Sequence, residues 1–349
     1  MKNEIKFFLG ANSKNGFMSY FKQLQEYSDS MQLLILKGGP GSGKSSLMKR
    51  VLSHSMEKGH KVEIIPCASD PYSLDAFIDY TQGFSMMDGT APHVQDPALP
   101  GALHHIIYTG DLWDIKLLNK NSEKIGKISA DISALHLGAG AYIKAAAALL
   151  QENIRYSSGF LNTKAVADFV KKATADFHIG DYKAPKTRLL SAVSVGEITV
   201  FEKTLSSLAD RIYIIEDIWG GCASAILEQL RSVGNICGSD MILCPCSVIP
   251  EKLDHIIFPK ERVAFTTKNS FLSINEGEKI HSSQFYNQLP LADCMRERLN
   301  SSGALLTRAY GLIKEAKITH DDLEAFYAEA MDFDKMGNIY ESIIDKFYN

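Results

Sequence analysis

Residues 32–52 read QLLILKGGPGSGKSSLMKRVL. Leu33 to Leu36 is a short apolar run suited to a strand buried on both faces. Gly38-x4-Gly43-Lys44-Ser45 follows, the phosphate-loop (Walker A) spacing. Beyond it Leu47, Met48, Val51 and Leu52 recur at helical spacing, and Gly59 stands where that helix should end. Strand, glycine loop and helix therefore occur in the order that phosphate binding requires.

The residue types suit that chemistry. Glycines let successive backbone N–H groups turn inward around an anion with no Cβ in the way. The N-terminus of the following helix adds partial positive charge at the same point. The loop Gly38, Gly39, Pro40, Gly41, Ser42, Gly43, Lys44, Ser45, Ser46 is thus expected to hold ATP. Lys44 would reach the β and γ phosphates, and Ser45 would offer its hydroxyl to Mg²⁺. A deviant loop with two signature lysines is excluded, because Lys37 and Lys44 are seven apart rather than five.

The metal also needs an acid at the end of a neighbouring strand. Phe84-Ser85-Met86-Met87-Asp88 is an apolar strand ending in one, and Asp88 is the preferred candidate, with Asp111 after Ile106-Ile107-Tyr108 as the rival. No glutamate follows Asp88, so the water-activating acid of many ATPases is missing there. Asp70 follows the second strand, where some kinases keep an acid for the acceptor hydroxyl. His93, in Asp88-Gly-Thr-Ala-Pro-His93, would orient a water or acceptor if its loop reaches the phosphate; otherwise it is a solvated loop histidine.

The chain repeats itself. A shift of 179 residues lays IIPCASDPYSLDAFI (64–78) over LCPCSVIPEKLDHII (243–257), and QLLILKGGPGSGKSSL over RIYIIEDIWGGCASAI. Gly41 meets Gly220 and Ser45 meets Ser224, but Gly38 faces Asp217, Gly43 faces Cys222, Lys44 faces Ala223, Asp70 faces Ile249 and Asp88 faces Thr267. What both copies keep reads as architecture: Cys67 and Cys246 as strand-end thiols, Asp75 and Asp254 as residues at helix starts. What only the first keeps reads as chemistry. Each copy ends in a long helical stretch, Ile125 to Phe177 and about Leu291 to Tyr348, with a joint near His178–Pro185.

The strings VEIIPCASDPYSLDAFID and DGTAPHVQDPALPG resemble a bacterial family of two-lobed P-loop proteins described as ATPases, ATP-binding proteins or putative nucleotide kinases. The resemblance implies an ATP-binding, two-lobed fold and no particular acceptor.

Composition narrows the class. The chain has 349 residues, 45% apolar and 22% charged, with net charge −4, so no basic field supports general nucleic-acid binding. The most apolar stretch, Leu135 to Leu150, is interrupted by His136 and Lys144 and is too short for a membrane span. Six cysteines without metal-ligand spacing fit reduced thiols and a cytoplasmic location. The expected fold is α/β: two tandem P-loop NTPase-like lobes of mainly parallel sheet flanked by helices, residues 1–183 and 184–349, the second degenerate. The expected function is Mg-dependent ATP hydrolysis in the first lobe only. A nucleotide or small-molecule kinase and an ATP-dependent switch or scaffold with an unidentified partner are the alternatives.

Overall fold

The apolar run before the glycine loop is a strand buried on both faces: Leu33, Leu34, Ile35 and Leu36 are each at most 2% exposed. The computed structural model describes residues 4–26, 31–182, 184–288 and 292–348. Met1–Asn3, Lys183, Leu291 and Asn349, which bound segments named above, lie outside the described residues.

In chain order the first repeat forms β1 (Ile5–Lys6), β2 (Gly10–Ser13), β3 (Gly16–Ser19), α1 (Gln23–Glu26), β4 (Gln32–Lys37) and α2 (Lys44–Glu57). It continues with β5 (Val62–Pro66), β6 (Leu74–Asp79), β7 (Phe84–Asp88), β8 (His104–Tyr108), α3 (Ile115–Lys120), α4 (Ser122–Ser158) and α5 (Thr163–Ala173). The second forms β9 (Lys186–Thr187), β10 (Ser191–Val193), β11 (Ile198–Val200), α6 (Glu202–Leu208), β12 (Arg211–Glu216) and α7 (Gly221–Cys237). Then come β13 (Ile242–Pro245), β14 (Leu253–Phe258), β15 (Val263–Lys268), β16 (Glu278–His281), α8 (Ala292–Glu329) and α9 (Phe333–Phe347).

The fold is α/β, with two six-stranded mixed sheets flanked by helices. The order β1-β5-β6-β7-β4-β8 in one sheet is matched strand for strand by β9-β13-β14-β15-β12-β16 in the other. Each sheet has three parallel pairings and two antiparallel ones, the latter made by β6 and β14 with their neighbours. The expectation of mainly parallel sheets holds for three pairings in five, and chain length makes the sheets mixed. Parallel neighbours need a crossover of about a dozen residues or more, and the short turns joining β5 to β6 and β6 to β7 allow only a meander. Asp75 and Asp254 consequently lie inside strands β6 and β14 rather than at helix starts.

The helical segments are exchanged between lobes. Helix α5 carries Val166, Val170 and Ala173 into the second lobe's core beside Ile215, Ile226 and Phe265. Helix α9 carries Met336 and Ile343 into the first lobe's core beside Leu34, Leu47 and Phe77. Residues 1–183 and 184–349 are therefore repeats of sequence, while each packed unit borrows its last helix from the other.

Helices α4 and α8 lie antiparallel, fastened by Asn153 Nδ2 donating to the Met295 carbonyl (2.9 Å) and Ser302 Oγ to that of Ala146 (3.3 Å). At 37 residues α4 is longer than its most apolar stretch suggests and could cross a membrane by length and composition. Here Ala139, Ile143, Ala146 and Ala147 pack against Leu306, Ala309 and Ile313. A shift of 170 residues superposes these arms in sequence: Ala134-Leu135 on Ala304-Leu305, Ile143-Lys144 on Ile313-Lys314, and the helix-capping Asn162 on Asp332.

Candidate functional site

The glycine loop joins the C-terminal end of β4 to α2. Gly41 (φ 66°) and Gly43 (φ 77°) hold left-handed backbone that favours glycine. Their outer sides are also covered by the other repeat: a Cβ on Gly41 would fall 2.4 Å from the Glu324 carbonyl oxygen, and one on Gly43 would touch Phe333. Gly39 lies against Trp113 and Tyr327, and a Cβ on Gly38 would strike Thr109 Oγ1. The Thr109 hydroxyl lies 3.1 Å from the Lys37 carbonyl and 3.0 Å from Ser42 Oγ, bracing the loop from β8's end. Pro40 is half-buried and Ser46 exposed.

Lys44 is buried, its ammonium donating to the carbonyls of Gly38 (3.1 Å) and Gly39 (2.7 Å) and lying 3.5 Å from Asp88 Oδ2. Asp88 reaches this place because β7 pairs in parallel with β4 and Asp88 is in register with Leu36, just before the loop. Its other oxygen accepts from the Thr90 N–H (2.9 Å) and hydroxyl (2.5 Å). Ser45 Oγ accepts from the Leu74 N–H (2.9 Å), tying the loop to the turn before β6. The structure thus gathers Lys44, Ser45 and Asp88, whereas Asp111 sits exposed in a short 3-10 turn.

His93 is no solvated loop residue. It is 7% exposed, stacks on Phe21 with ring centroids 4.7 Å apart, and places Nε2 3.4 Å from Asp75 Oδ1. Burial pushes the His93 pKa down to about 4, Asp88 opposing and Lys44 assisting. Burial pushes the Asp75 carboxyl up to about 8, with Asp88 and Asp70 adding to it and a Cys67 hydrogen bond opposing. Near neutrality both are largely uncharged, so their 3.4 Å approach is a contact between neutral groups rather than an ion pair. Burial also raises the Cys67 thiol well above its ordinary value, which leaves it a poor nucleophile. Asp70 is half-buried and faces Lys317 of α8, Nζ to Oδ2 3.3 Å.

Sequence comparison of the repeats set Asp75 aside because Asp254 shares its place. The difference lies two residues earlier: Lys252 replaces Ser73. Lys252 forms an ion pair with Asp254; burial opposes its charge, but Asp254 outweighs this and raises its pKa. Asp75 has no such neighbour in sequence, and that was the available signal. Lys317 and Tyr327 gave none, since the exchange of helices brings them in from far along the chain; Trp113 reaches Gly39 from the turn after β8.

The second lobe's loop is filled from within. Asp217 is 2% exposed; its Oδ2 accepts from the Ala223 N–H (2.9 Å) and its Oδ1 from that of Trp219 (3.2 Å). The cavity beside it, bounded by Trp219, Gly220, Lys252 and Phe271, measures about 50 Å³, against roughly 300–1,000 Å³ for small-molecule sites.

Neither a protein-family model, nor a curated protein, nor a solved structure matches this chain.

Proposed function

We propose that the first lobe binds Mg·ATP and hydrolyses it, and that the second lobe binds no nucleotide. The observation carrying this reading is the buried Lys44 ammonium, 3.5 Å from Asp88 and folded against a left-handed glycine loop at the start of α2. Lys44 and the amides of Gly41 to Ser45 would hold the β and γ phosphates. The all-oxygen donor set of Ser45 and Asp88 fits Mg²⁺, which would neutralise charge on those phosphates. His93 and the protonated Asp75 would orient a water without adding negative charge beside the phosphates. Catalysis would come from positioning and charge stabilisation.

Hydrolysis is favoured over transfer by the contact of Gly41 with Glu324. It couples the loop directly to the helix pair that spans both lobes, as an ATPase that moves its lobes requires. ADP and free phosphate followed separately, with and without nucleosides, nucleotides and sugars, test this. Matching ADP and phosphate is the expected result; ADP without phosphate would make the protein a kinase, and neither product would make it a switch.

A further inference from the structure

The exchanged helices cross the two glycine loops in equivalent ways, and their faces differ. Glu324 of α8 lies over Gly41, and Ile154 of α4 lies over Gly220, the Gly41 counterpart. By the 170-residue shift, Lys317, His320 and Glu324 occupy the places of Ala147, Leu150 and Ile154. The residues beneath differ in step. Lys317 meets Asp70 at 3.3 Å, whereas Ala147 and Ile249, which stand in their places, join one buried apolar cluster with Leu150 and Ile154 beside them.

The apolar pair in the second lobe shows what this crossing needs for packing alone. A partly exposed ion pair at the same place adds little to stability, so packing does not account for Lys317. The cation occurs only in the arm that crosses the Lys44 loop, α4 having Ala147 at that place. Its carboxylate partner lies in the turn (residues 67–73) next to Leu74, whose N–H donates to Ser45 Oγ, so the Lys317–Asp70 pair borders the segment tied to the glycine loop. Asp321, one turn on, also pairs with Lys317.

We propose that Lys317, supplied by the second repeat, is a γ-phosphate-binding residue of the first lobe's site, held by Asp70 until a triphosphate with more negative charge displaces that carboxylate. The inference rests on reading the Lys44 loop as an ATP site. It makes the exchange of helices functional: the degenerate repeat contributes the cation that distinguishes ATP from ADP.

Calorimetric titration of wild type, Lys317→Ala, Lys317→Gln, Lys317→Arg and Lys314→Ala with Mg·ATP and with Mg·ADP tests it. Alanine is the residue that α4 carries at this place, and glutamine is a second variant should alanine disturb folding. Removal of the charge should weaken ATP at least tenfold and ADP less than twofold, with arginine restoring most ATP affinity and Lys314→Ala matching wild type. Unchanged ATP affinity in Lys317→Ala and Lys317→Gln, or equal losses for both nucleotides, would overturn the inference while leaving the ATP site intact. A wild type that binds neither nucleotide would overturn the site itself, and this inference with it.

Discussion

The carboxylate of Asp217 accepts a 2.9 Å hydrogen bond from the backbone N–H of Ala223, the residue standing where the first lobe has Lys44. A buried carboxyl group of the chain itself thus takes up hydrogen-bond donors of the second lobe's loop. The second lobe has kept the loop's shape and supplied its own ligand.

Asp217→Ala should therefore destabilise the protein by about 1–3 kcal/mol, because it strands buried backbone donors, without creating a second nucleotide site. Denaturant unfolding gives the first quantity. Titration with Mg²⁺ and a slowly hydrolysed ATP analogue gives the second, and one site per chain is expected in both proteins. Two sites of comparable affinity in wild type would contradict this account.

Lys44→Ala should cost roughly 2–5 kcal/mol of nucleotide affinity, the scale for removing one partner of a desolvated charge contact, with the fold retained. Asp88→Asn should lower Mg²⁺-dependent turnover far more than metal-free nucleotide binding, and Asp111→Asn should do neither. The reverse pattern for the two aspartates would place the metal acid on β8's side of β4.

Asp75 and His93 give stability opposite pH limbs. The Asp75 pKa rises from 3.8 to about 8 on folding, so its contribution is fully present below its unfolded pKa and is lost as pH climbs toward 8. Each pH unit in that window removes at most about 1.4 kcal/mol. The His93 pKa falls from 6.5 to about 4, so its contribution is present above 6.5 and is lost as pH falls toward 4. Asp75→Asn, which imitates the protonated carboxyl, should flatten the alkaline limb of the unfolding free energy and leave the acid limb. Chemical denaturation from pH 4 to 9 checks it, and an unchanged alkaline slope would refute it.

The exchange of helices predicts crossed effects. Ile343→Ala in α9 removes a side chain that is 3% exposed in the first lobe's core and should cost about 2–5 kcal/mol. Hydrogen exchange should quicken in β4 and α2, nearly 300 residues away in sequence. Val170→Ala in α5 should instead loosen β12 and α7 of the second lobe, by a smaller amount. Effects confined to each helix's own repeat would show that the arms are not exchanged.

How far the sequence could be read is visible in particular residues. Gln32–Lys37, the loop after it and α2 were legible because strand burial, glycine backbone freedom and helical periodicity act over a few residues. Asp88 was legible because an acid ending an apolar strand is a local pattern. Asp75 was misread as a helix start because the antiparallel meander that makes it part of β6 is a long-range pairing, and the His93 alternatives were left open because burial is not carried by spacing.

By itself the sequence determined the repeat, the order of strand, loop and helix, and the loss of Lys44's counterpart at Ala223. The tertiary structure alone decided that β6 runs antiparallel to its neighbours, that Asp217 fills its own loop, and that α9 and α8 serve the first lobe. The physical reason is one of range. Hydrogen-bonded turns and helix faces are written in neighbouring residues. Which lobe buries Met336 and Ile343, and which carboxylate meets Lys317, is settled only when surfaces hundreds of residues apart compete for the same contact.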